Sequence, residues 1–197
     1  MPVYPGDPEV KILKCKSIND DCFNLFQVSM SNHTGTHIDF PAHVLENGKT
    51  SNDYPLSFFS GKGVVLDLSD CKSKQVNSSF FKQTKINKKV EIRKNDILLL
   101  KYGNQHHEKE FYPALTREVA LYLIQQGIKI IGTESMSIDG IESDELPIHK
   151  EFLSNDVLVL EGLDMQLIKP GRVNVFIFPL KLNSLDGLPC RVGLTYE

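Results

Sequence analysis

The chain has 197 residues, 41% of them hydrophobic, so it is long enough to bury a substantial core in one domain spanning 1–197. A formal net charge of −3 argues against a protein that depends on attraction to nucleic-acid phosphates. No apolar run reaches the ~18 residues that a membrane span needs, and no two of the four cysteines form a CxxC pair. We expect a cytoplasmic protein that contacts neither nucleic acid nor membrane.

The predicted elements begin with a turn at "YPGDP" (4–8). Proline presets φ for the first corner of a β-turn, and glycine accepts the positive φ of the next corner. The next segment of note, "HTGTHIDFPAH" (33–43), is a poor helix because it contains Gly35, two β-branched threonines and Pro41. We therefore expect an extended segment that bends at Gly35, a strand end curling into a loop.

Five apolar runs rich in Val, Ile and Leu are typical of buried strands. They cover 63–69, 96–102, 128–134, 156–163 and 173–182. A helix is predicted over 115–127, with Thr116 as the N-cap and Gly127 as the C-terminal stop. A shorter helix is predicted around 148–154. The alternation of strands and helices predicts an α/β domain with a largely buried sheet.

Two polar segments are interpreted as surface. Residues 72–94 carry eight Lys/Arg and one acid, which is typical of a solvated lysine-rich face. The segment 103–113, "GNQHHEKEFYP", is interpreted as a loop over the site. We interpret His106 and His107 in it as exposed residues and not as ligands.

Three of the six histidines lie within 33–43, which indicates a metal site. His33, His37, Asp39 and His43 are all odd-numbered, so a period of two would place them on one face. Residues four apart in an extended chain are ~13 Å from each other, so the segment must bend for two of them to bind one ion. Imidazole and carboxylate ligands suit Zn²⁺, Mn²⁺ or Fe²⁺, and Asp39 has two oxygens with which to bridge two ions. Ordinary core or surface histidines remain the alternative at this point.

The same segment matches the pattern HxGTHxDxPxH of the Putative cyclase family, whose metal-dependent hydrolases include bacterial kynurenine formamidase and isatin hydrolase. The resemblance covers nearly the whole chain in order. It includes "MPVYPGDP", "GIKIIGTESMSID", "IHKEFLSNDVLVLEGLDM" and "DGLPCRV". The resemblance implies a swivelling β/β/α-type fold with a mixed central sheet and flanking helices, and a homodimer or larger homo-oligomer.

By position, the resemblance also implies the site residues. The metal ligands would be His33, His37, Asp39, His149 and Glu161, with Asp39 bridging two divalent ions, zinc or manganese. The residues themselves already single out Glu161, because a carboxylate following the apolar "VLVL" needs a partner or a metal to offset its desolvation. His43 corresponds to the general acid/base, which would accept the proton of a water that attacks the carbonyl and return it to the leaving nitrogen.

The implied function is hydrolysis of a C–N bond in a small amide, with aryl formamidase (N-formylkynurenine to kynurenine and formate) as the specific interpretation. Alternatives are a relative that opens a cyclic imide or lactam such as isatin, and a metal-binding or small-molecule-binding protein without turnover. An aromatic wall of Tyr4, Phe40 and Tyr102 is expected to contact substrate. Partners for the outer ring nitrogens of the ligands are expected among Asp67, Asp139 and Ser137.

Overall fold

The computed structural model describes residues 1–103, 112–140, 143 and 145–196. In chain order the strands in these ranges are β1 (Lys11–Lys16), β2 (Leu25–Ser29), β3 (His37–Asp39), β4 (Ser60–Asp67), β5 (Gln75–Val76), β6 (Ile97–Lys101), β7 (Ala114–Leu115), β8 (Ile130–Thr133), β9 (Leu158–Glu161), β10 (Gly171–Pro179) and β11 (Gly187–Tyr196). The helices are α1 (Ile18–Asp21), α2 (Ser78–Asn87), α3 (Arg117–Gln126) and α4 (Pro147–Ser154). Short 3₁₀ helices cover Pro41–His43, Ser51–Asp53 and Leu56–Phe59.

Seven of these strands close into a barrel in the order β10, β11, β3, β9, β8, β6 and β4. The neighbours β4, β6, β8 and β9 are parallel, and the connections between them carry α2, α3 and α4 in turn. Strands β3, β10 and β11 join antiparallel and close the barrel. The α/β class, the mixed central sheet and the flanking helices are therefore as predicted.

Five of the seven barrel strands are apolar runs of the sequence, whereas β3 and β11 are not among those runs and β11 was not predicted. Strands β8 and β9 are buried along their whole length, and β6 is buried except at its last residue. Strands buried on both faces read as continuous Val/Ile/Leu segments, which is why periodicity and composition located them. All five predicted strands are confirmed and correspond to β4, β6, β8, β9 and β10.

The two predicted helices are also confirmed. In α3 the side chains of Val119, Ala120 and Leu123 are buried, and Gly127 ends the helix in the left-handed region at φ 73°. Thr116 occupies the N-cap position, although its hydroxyl makes no capping hydrogen bond. Helix α2 was not predicted. It lies in the lysine-rich segment and buries only Phe81 and Thr84, so its sequence has little apolar periodicity.

Strands β1 and β2 form an antiparallel hairpin that is separate from the barrel sheet. Every residue of both strands is exposed, although several are large and apolar. The sequence analysis did not predict this hairpin, because its apolar residues face no core. Among the described helices, none combines the length and the apolar character that crossing a bilayer requires.

Candidate active site

A tight turn brings His33 next to strand β3. His37 and Asp39 lie on β3 with Ile38 between them, so their side chains share one face. Gly35 takes φ +68°, a left-handed conformation that favours glycine, and it bends the chain just before the strand. As a result His33 Nδ1 is 2.8 Å from Asp39 Oδ1. The predicted bend at Gly35 is confirmed, and the histidines converge through this bend and not through a long strand with a period of two.

Strand β9 and helix α4 bring two further ligand-type side chains to the same point. Glu161 is the direct antiparallel partner of His37, and His37 Nε2 is 3.6 Å from Glu161 Oε2. His149 Nε2 lies 3.1 Å from Glu161 Oε1 and 3.5 Å from Asp39 Oδ2. The structure thus brings together all five side chains that the sequence analysis singled out as ligands.

Two glycines set how closely these two groups approach. Gly162 has φ +63°, and a Cβ there would lie 2.6 Å from the carbonyl oxygen of Gly35. The Thr36 hydroxyl donates a 2.6 Å hydrogen bond to the Gly162 carbonyl. The backbone after Glu161 therefore rests directly on the turn between His33 and His37.

The five side chains form two overlapping sets that share Asp39. His33, His37 and Asp39 make one set, and Asp39, His149 and Glu161 make the other, with the ligand atoms of each set within 4.8 Å of one another. Asp39 Oδ1 faces His33 and His37, whereas Oδ2 faces His149. Each oxygen of the shared carboxylate thus belongs to a different set.

Buried atoms without partners indicate that these residues fit a metal. Among the described residues, Asp39 Oδ2 and His149 Nε2 are buried without a hydrogen-bond partner, since the 3.1 Å approach of Nε2 to Glu161 lacks hydrogen-bond geometry. Burying unsatisfied polar atoms costs about 1–3 kcal/mol each. A divalent cation between them would satisfy both atoms, and the imidazole and carboxylate donors are those preferred by Zn²⁺, Mn²⁺ or Fe²⁺.

The electrostatics also favour positive charge at this point. Burial lowers the pKa of His37, but the carboxylates of Asp39 and Glu161 raise it more in total, to about 9. The pKa of His149 is likewise raised well above its usual value, because Glu161, Asp139 and Asp39 outweigh its burial. The pKa of Asp39 is held well below its usual range despite complete burial, because three imidazoles surround it.

The outer nitrogen of each imidazole also has an acceptor, as metal-binding histidines require. His37 Nδ1 donates to the Gly35 carbonyl at 2.8 Å, and His149 Nδ1 is 2.7 Å from Asp139 Oδ2. Asp139 also accepts the backbone N–H groups of Ile148 and His149 at the start of α4. The proposal of Asp139 as an outer partner agrees with this geometry.

The other two predicted partners, Asp67 and Ser137, do not bond a ligand histidine. Asp67 pairs with Lys88 at 2.9 Å and accepts the Ser69 N–H, so it is engaged elsewhere. Ser137 lines the site cavity, but its hydroxyl oxygen accepts the Asp139 N–H and bonds no ligand. The acceptor for His33 Nε2 is Asp186, whose Oδ2 is 3.2 Å away. Sequence reasoning missed this role, although "DGLPCRV", which begins at Asp186, was among the segments that resemble the family.

His43 follows β3 in the 3₁₀ helix Pro41–His43 and faces a cavity of about 310 Å³ beside the ligand cluster. Its ring centroid is 4.2 Å from that of His33 and 5.6 Å from that of His149. Its Nδ1 is 3.2 Å from Asp186 Oδ2. His43, His33 and Asp186 form a third group of ligand-type atoms, but His43 belongs to neither set that shares Asp39.

The expected aromatic wall is only partly present. Tyr4 lines the cavity, held by the predicted turn in which the Asp7 N–H donates to the Tyr4 carbonyl at 3.0 Å. Phe40 is fully buried and packs on Tyr54 and Phe59, so it is a core residue and the prediction of a substrate contact is wrong.

The prediction for Tyr102 is wrong for the same reason. This residue is 1% exposed and is not part of the cavity lining. Met136 and Leu146 provide apolar surface in the cavity instead. His106 and His107 lie outside the described residues.

Comparisons with known proteins identify the family and the fold of this chain. A family model described as "Putative cyclase" matches residues 1–140. Kynurenine formamidase of Geobacillus thermodenitrificans (strain NG80-2) is 32% identical over 198 residues, which cover 98% of this chain and 91% of that protein. A solved structure of a potential metal-dependent hydrolase with cyclase activity is 27% identical with a TM-score of 0.79, covering 98% of this chain and 90% of that one.

The fold is shared more widely than the sequence. An isatin hydrolase bound to the product analogue thioisatinate superposes with a TM-score of 0.81 at 18% identity, over 97% of this chain and 83% of that chain. The resemblance drawn from the sequence motifs is confirmed, and the chain belongs to the Putative cyclase family.

Proposed function

We propose that this protein is a divalent-metal-dependent hydrolase of C–N bonds and that its substrate is an aryl formamide, with N-formylkynurenine cleaved to kynurenine and formate. The observation that carries the proposal is the convergence of His33, His37, Asp39, His149 and Glu161 beside a cavity that His43 also faces. The kynurenine formamidase relative, which covers nearly the whole chain, supports the choice of substrate.

In the proposed centre, His33 and His37 would hold one divalent ion, His149 and Glu161 would hold a second, and Asp39 would be shared by both sets. Zinc is the first candidate and manganese the second, because the donors are imidazoles and carboxylates. Such ions would polarise the substrate carbonyl and lower the pKa of a water molecule toward ~7. The protein's part is to fix the ligands: β3 and β9 are paired strands, and Asp139 orients His149.

His43 is proposed as the general acid/base. Its ring faces the cavity and lies beside the rings of His33 and His149, one from each ligand set. An imidazole nitrogen can both accept and donate a proton, so His43 can take a proton from the attacking water and give it to the leaving nitrogen. A protein that only binds a metal or a small molecule has no need of such a group, which favours turnover over simple binding.

The cavity limits the substrate to a small molecule. About 310 Å³ is at the lower end of the range for small-molecule sites. Tyr4, Met136 and Leu146 offer aromatic and apolar surface for an aryl ring, and Asp7 is an anion on the same lining. An aryl formamide with a cationic amine satisfies both features.

A substrate panel with metal analysis tests the proposal. Purified protein reconstituted with zinc or manganese is incubated with N-formylkynurenine, with isatin and with an unsubstituted aliphatic formamide, and formate release or ring opening is measured. We expect close to two ions per chain and formate release from N-formylkynurenine. Ring opening of isatin without formate release would replace the formamidase by a cyclic-amide hydrolase. Absence of turnover on the whole panel, with metal bound, would favour a binding protein.

We also propose that the protein acts as a homodimer in the cytoplasm. The β1–β2 hairpin supports the dimer, because seven of its large apolar side chains are 49–68% exposed: Ile12, Leu13, Ile18, Phe23, Leu25, Phe26 and Val28. The register places Ile12 opposite Val28, so these two side chains and that of Phe26 share one face of the hairpin. An exposed apolar cluster of this kind usually marks an interaction site. The cysteines, all of them unpaired, are consistent with a reducing compartment.

A further inference from the structure

Asp186 occupies a position between the ligand cluster and His43. Its Oδ2 is 3.2 Å from His33 Nε2 and 3.2 Å from His43 Nδ1, so one oxygen faces both rings. Its other oxygen accepts a 2.8 Å hydrogen bond from the Asn32 side-chain amide. The carboxylate is therefore held from one side while it contacts two imidazoles on the other.

The backbone around Asp186 is fixed by strand β3. The Asp186 carbonyl accepts the Phe40 N–H at 2.8 Å, and the next residue, Gly187, pairs with Asp39 in register. A Cβ at Gly187 would lie 2.3 Å from His33 Cε1, so the ring of His33 packs directly on the backbone at this point. Asp186 is thus held by backbone contacts with the end of β3, the strand that carries the ligands His37 and Asp39.

A carboxylate can only accept hydrogen bonds, so both ring nitrogens that face Asp186 must carry hydrogen. For His33, the hydrogen on Nε2 makes Nδ1 the nitrogen that the proposed metal would take. In the metal-free protein Nδ1 faces the Asp39 carboxylate at 2.8 Å and carries a hydrogen as well. For His43, protonated Nδ1 leaves Nε2 as the basic nitrogen. With the proposed metal on His33 Nδ1, the single acceptor would therefore select the opposite tautomer in the two rings, which is the choice that ligation by one and proton transfer by the other both require.

We propose that Asp186 is a positioning residue that fixes the tautomers of His33 and His43 together. The inference rests on the proposed hydrolase function for its consequence in turnover, but the tautomers themselves are measurable without substrate. Asp186 contacts no reacting atom in this proposal, because its three side-chain contacts are with the two rings and the Asn32 amide.

The test compares Asp186→Ala, Asp186→Asn and the surface control Asp70→Ala. Asp70 is 75% exposed at its side chain and lies 3.4 Å from the Lys88 ammonium, away from the ligand cluster, so its removal reproduces the loss of one negative charge. Each zinc-reconstituted protein carries ¹⁵N-labelled histidine, and its ring nitrogen shifts, metal content, kcat and KM are measured.

We expect His43 to be protonated at Nδ1 in the wild type and in the control. In Asp186→Ala it should become a mixture of tautomers, with kcat about 10- to 100-fold lower, KM little changed and metal content close to wild type. Asp186→Asn should retain the wild-type tautomer and more of the activity, because its amide oxygen still accepts.

Loss of one ion per chain in Asp186→Asn would overturn the proposal and make Asp186 a metal ligand. Unchanged tautomers and kcat in Asp186→Ala would overturn it as well. If the alanine variant does not fold, Asn32→Ala replaces it, because it releases the other oxygen without removing the carboxylate. A smaller tautomer shift is then expected, and no shift counts against the proposal. If the wild type hydrolyses no substrate, the proposed function fails while the tautomer measurement still decides the role of Asp186.

Discussion

His37 on β3 and Glu161 on β9 are direct antiparallel partners, and their side-chain atoms Nε2 and Oε2 are 3.6 Å apart. This cross-strand pair joins the motif near the N-terminus to a strand from the C-terminal half of the chain. The same pairing closes the barrel, so the ligand cluster and the fold depend on each other. Anything that binds the folded cluster and not the unfolded chain should therefore raise the stability of the whole domain.

Glu161→Gln tests the second ligand set. The amide keeps the shape of the side chain but removes the charge that would balance a cation, so we expect metal content to fall by about one ion per chain and activity to fall about 100-fold or more. Metal analysis and a formamidase assay provide the measurement, with exposed Glu118→Gln on α3 as the control. Full metal content in the Glu161 variant would remove this residue from the ligand set.

His43→Ala separates proton transfer from metal binding. Since His43 belongs to neither set that shares Asp39, the variant should keep the metal content of the wild type. Its kcat should fall by about 10²–10⁴-fold, the usual contribution of a general acid/base. His33→Ala is the contrast, because it should lose metal as well as activity. A His43 variant with wild-type kcat would show that another group moves the proton.

Gly187→Ala tests the close approach of the backbone to His33. The added Cβ would lie 2.3 Å from His33 Cε1, so the ring must shift. A displacement of about 1 Å can cost about 100-fold in rate, and we expect a loss of that order together with weaker metal binding. Gly193→Ala on the same strand is a matched control, because its Cβ would meet no atom within 4 Å. Equal activities of the two variants would contradict the packing described for His33.

The pH dependence of stability should differ between metal-free and metal-loaded protein. The pKa of His37 is raised from 6.5 to about 9, so its protonated form stabilises the metal-free fold fully below pH 6.5. This contribution, on the order of a few kcal/mol, is lost as the pH rises through about 9. Melting curves in a chelator should therefore show Tm falling from pH 6.5 to 9.

Metal must displace that proton, so stabilisation by added zinc should grow over the same range. The difference in Tm between zinc-loaded and chelated protein is the quantity to compare across pH. A chelated protein whose Tm rises between pH 6.5 and 9 would contradict the pKa shift of His37.

The hairpin should carry the dimer contact. Phe26 and Val28 are 52% and 57% exposed on β2, and replacing both with glutamate would place two charges in the proposed interface. We expect light scattering after size-exclusion chromatography to show a monomer for this variant. Leu167→Glu is the control, since Leu167 is 91% exposed and lies outside the hairpin. A dimer that survives the double substitution would place the interface elsewhere.

The sequence predicted five of the seven barrel strands but neither β11 nor the periphery, and burial explains the difference. Strands buried on both faces, such as β8 and β9, have a continuous apolar signal that needs no tertiary information. The hairpin β1–β2 and helix α2 bury little in this chain, so their sequences carry no comparable pattern.

The site divides along a similar line. The bend at Gly35 follows from residue chemistry, and the ligand set follows from the motif. The placement of Phe40 could not be predicted, because the sequence around an aromatic residue next to a ligand is the same whether its ring faces the cavity or the core. The role of Asp186 could not be predicted from the sequence either, since its contact with His43 depends on how β11 pairs with β3.

The contact of Gly162 with the Gly35 carbonyl has a consequence for engineering this centre. The Thr36 hydroxyl bonds the Gly162 carbonyl, and a Cβ at Gly162 would collide with the Gly35 carbonyl, so the separation of the two ligand sets is set largely by the main chain. Exchanging individual ligands can therefore alter which metal each ligand set prefers. Changing the distance between the two sets requires remodelling of the polypeptide backbone.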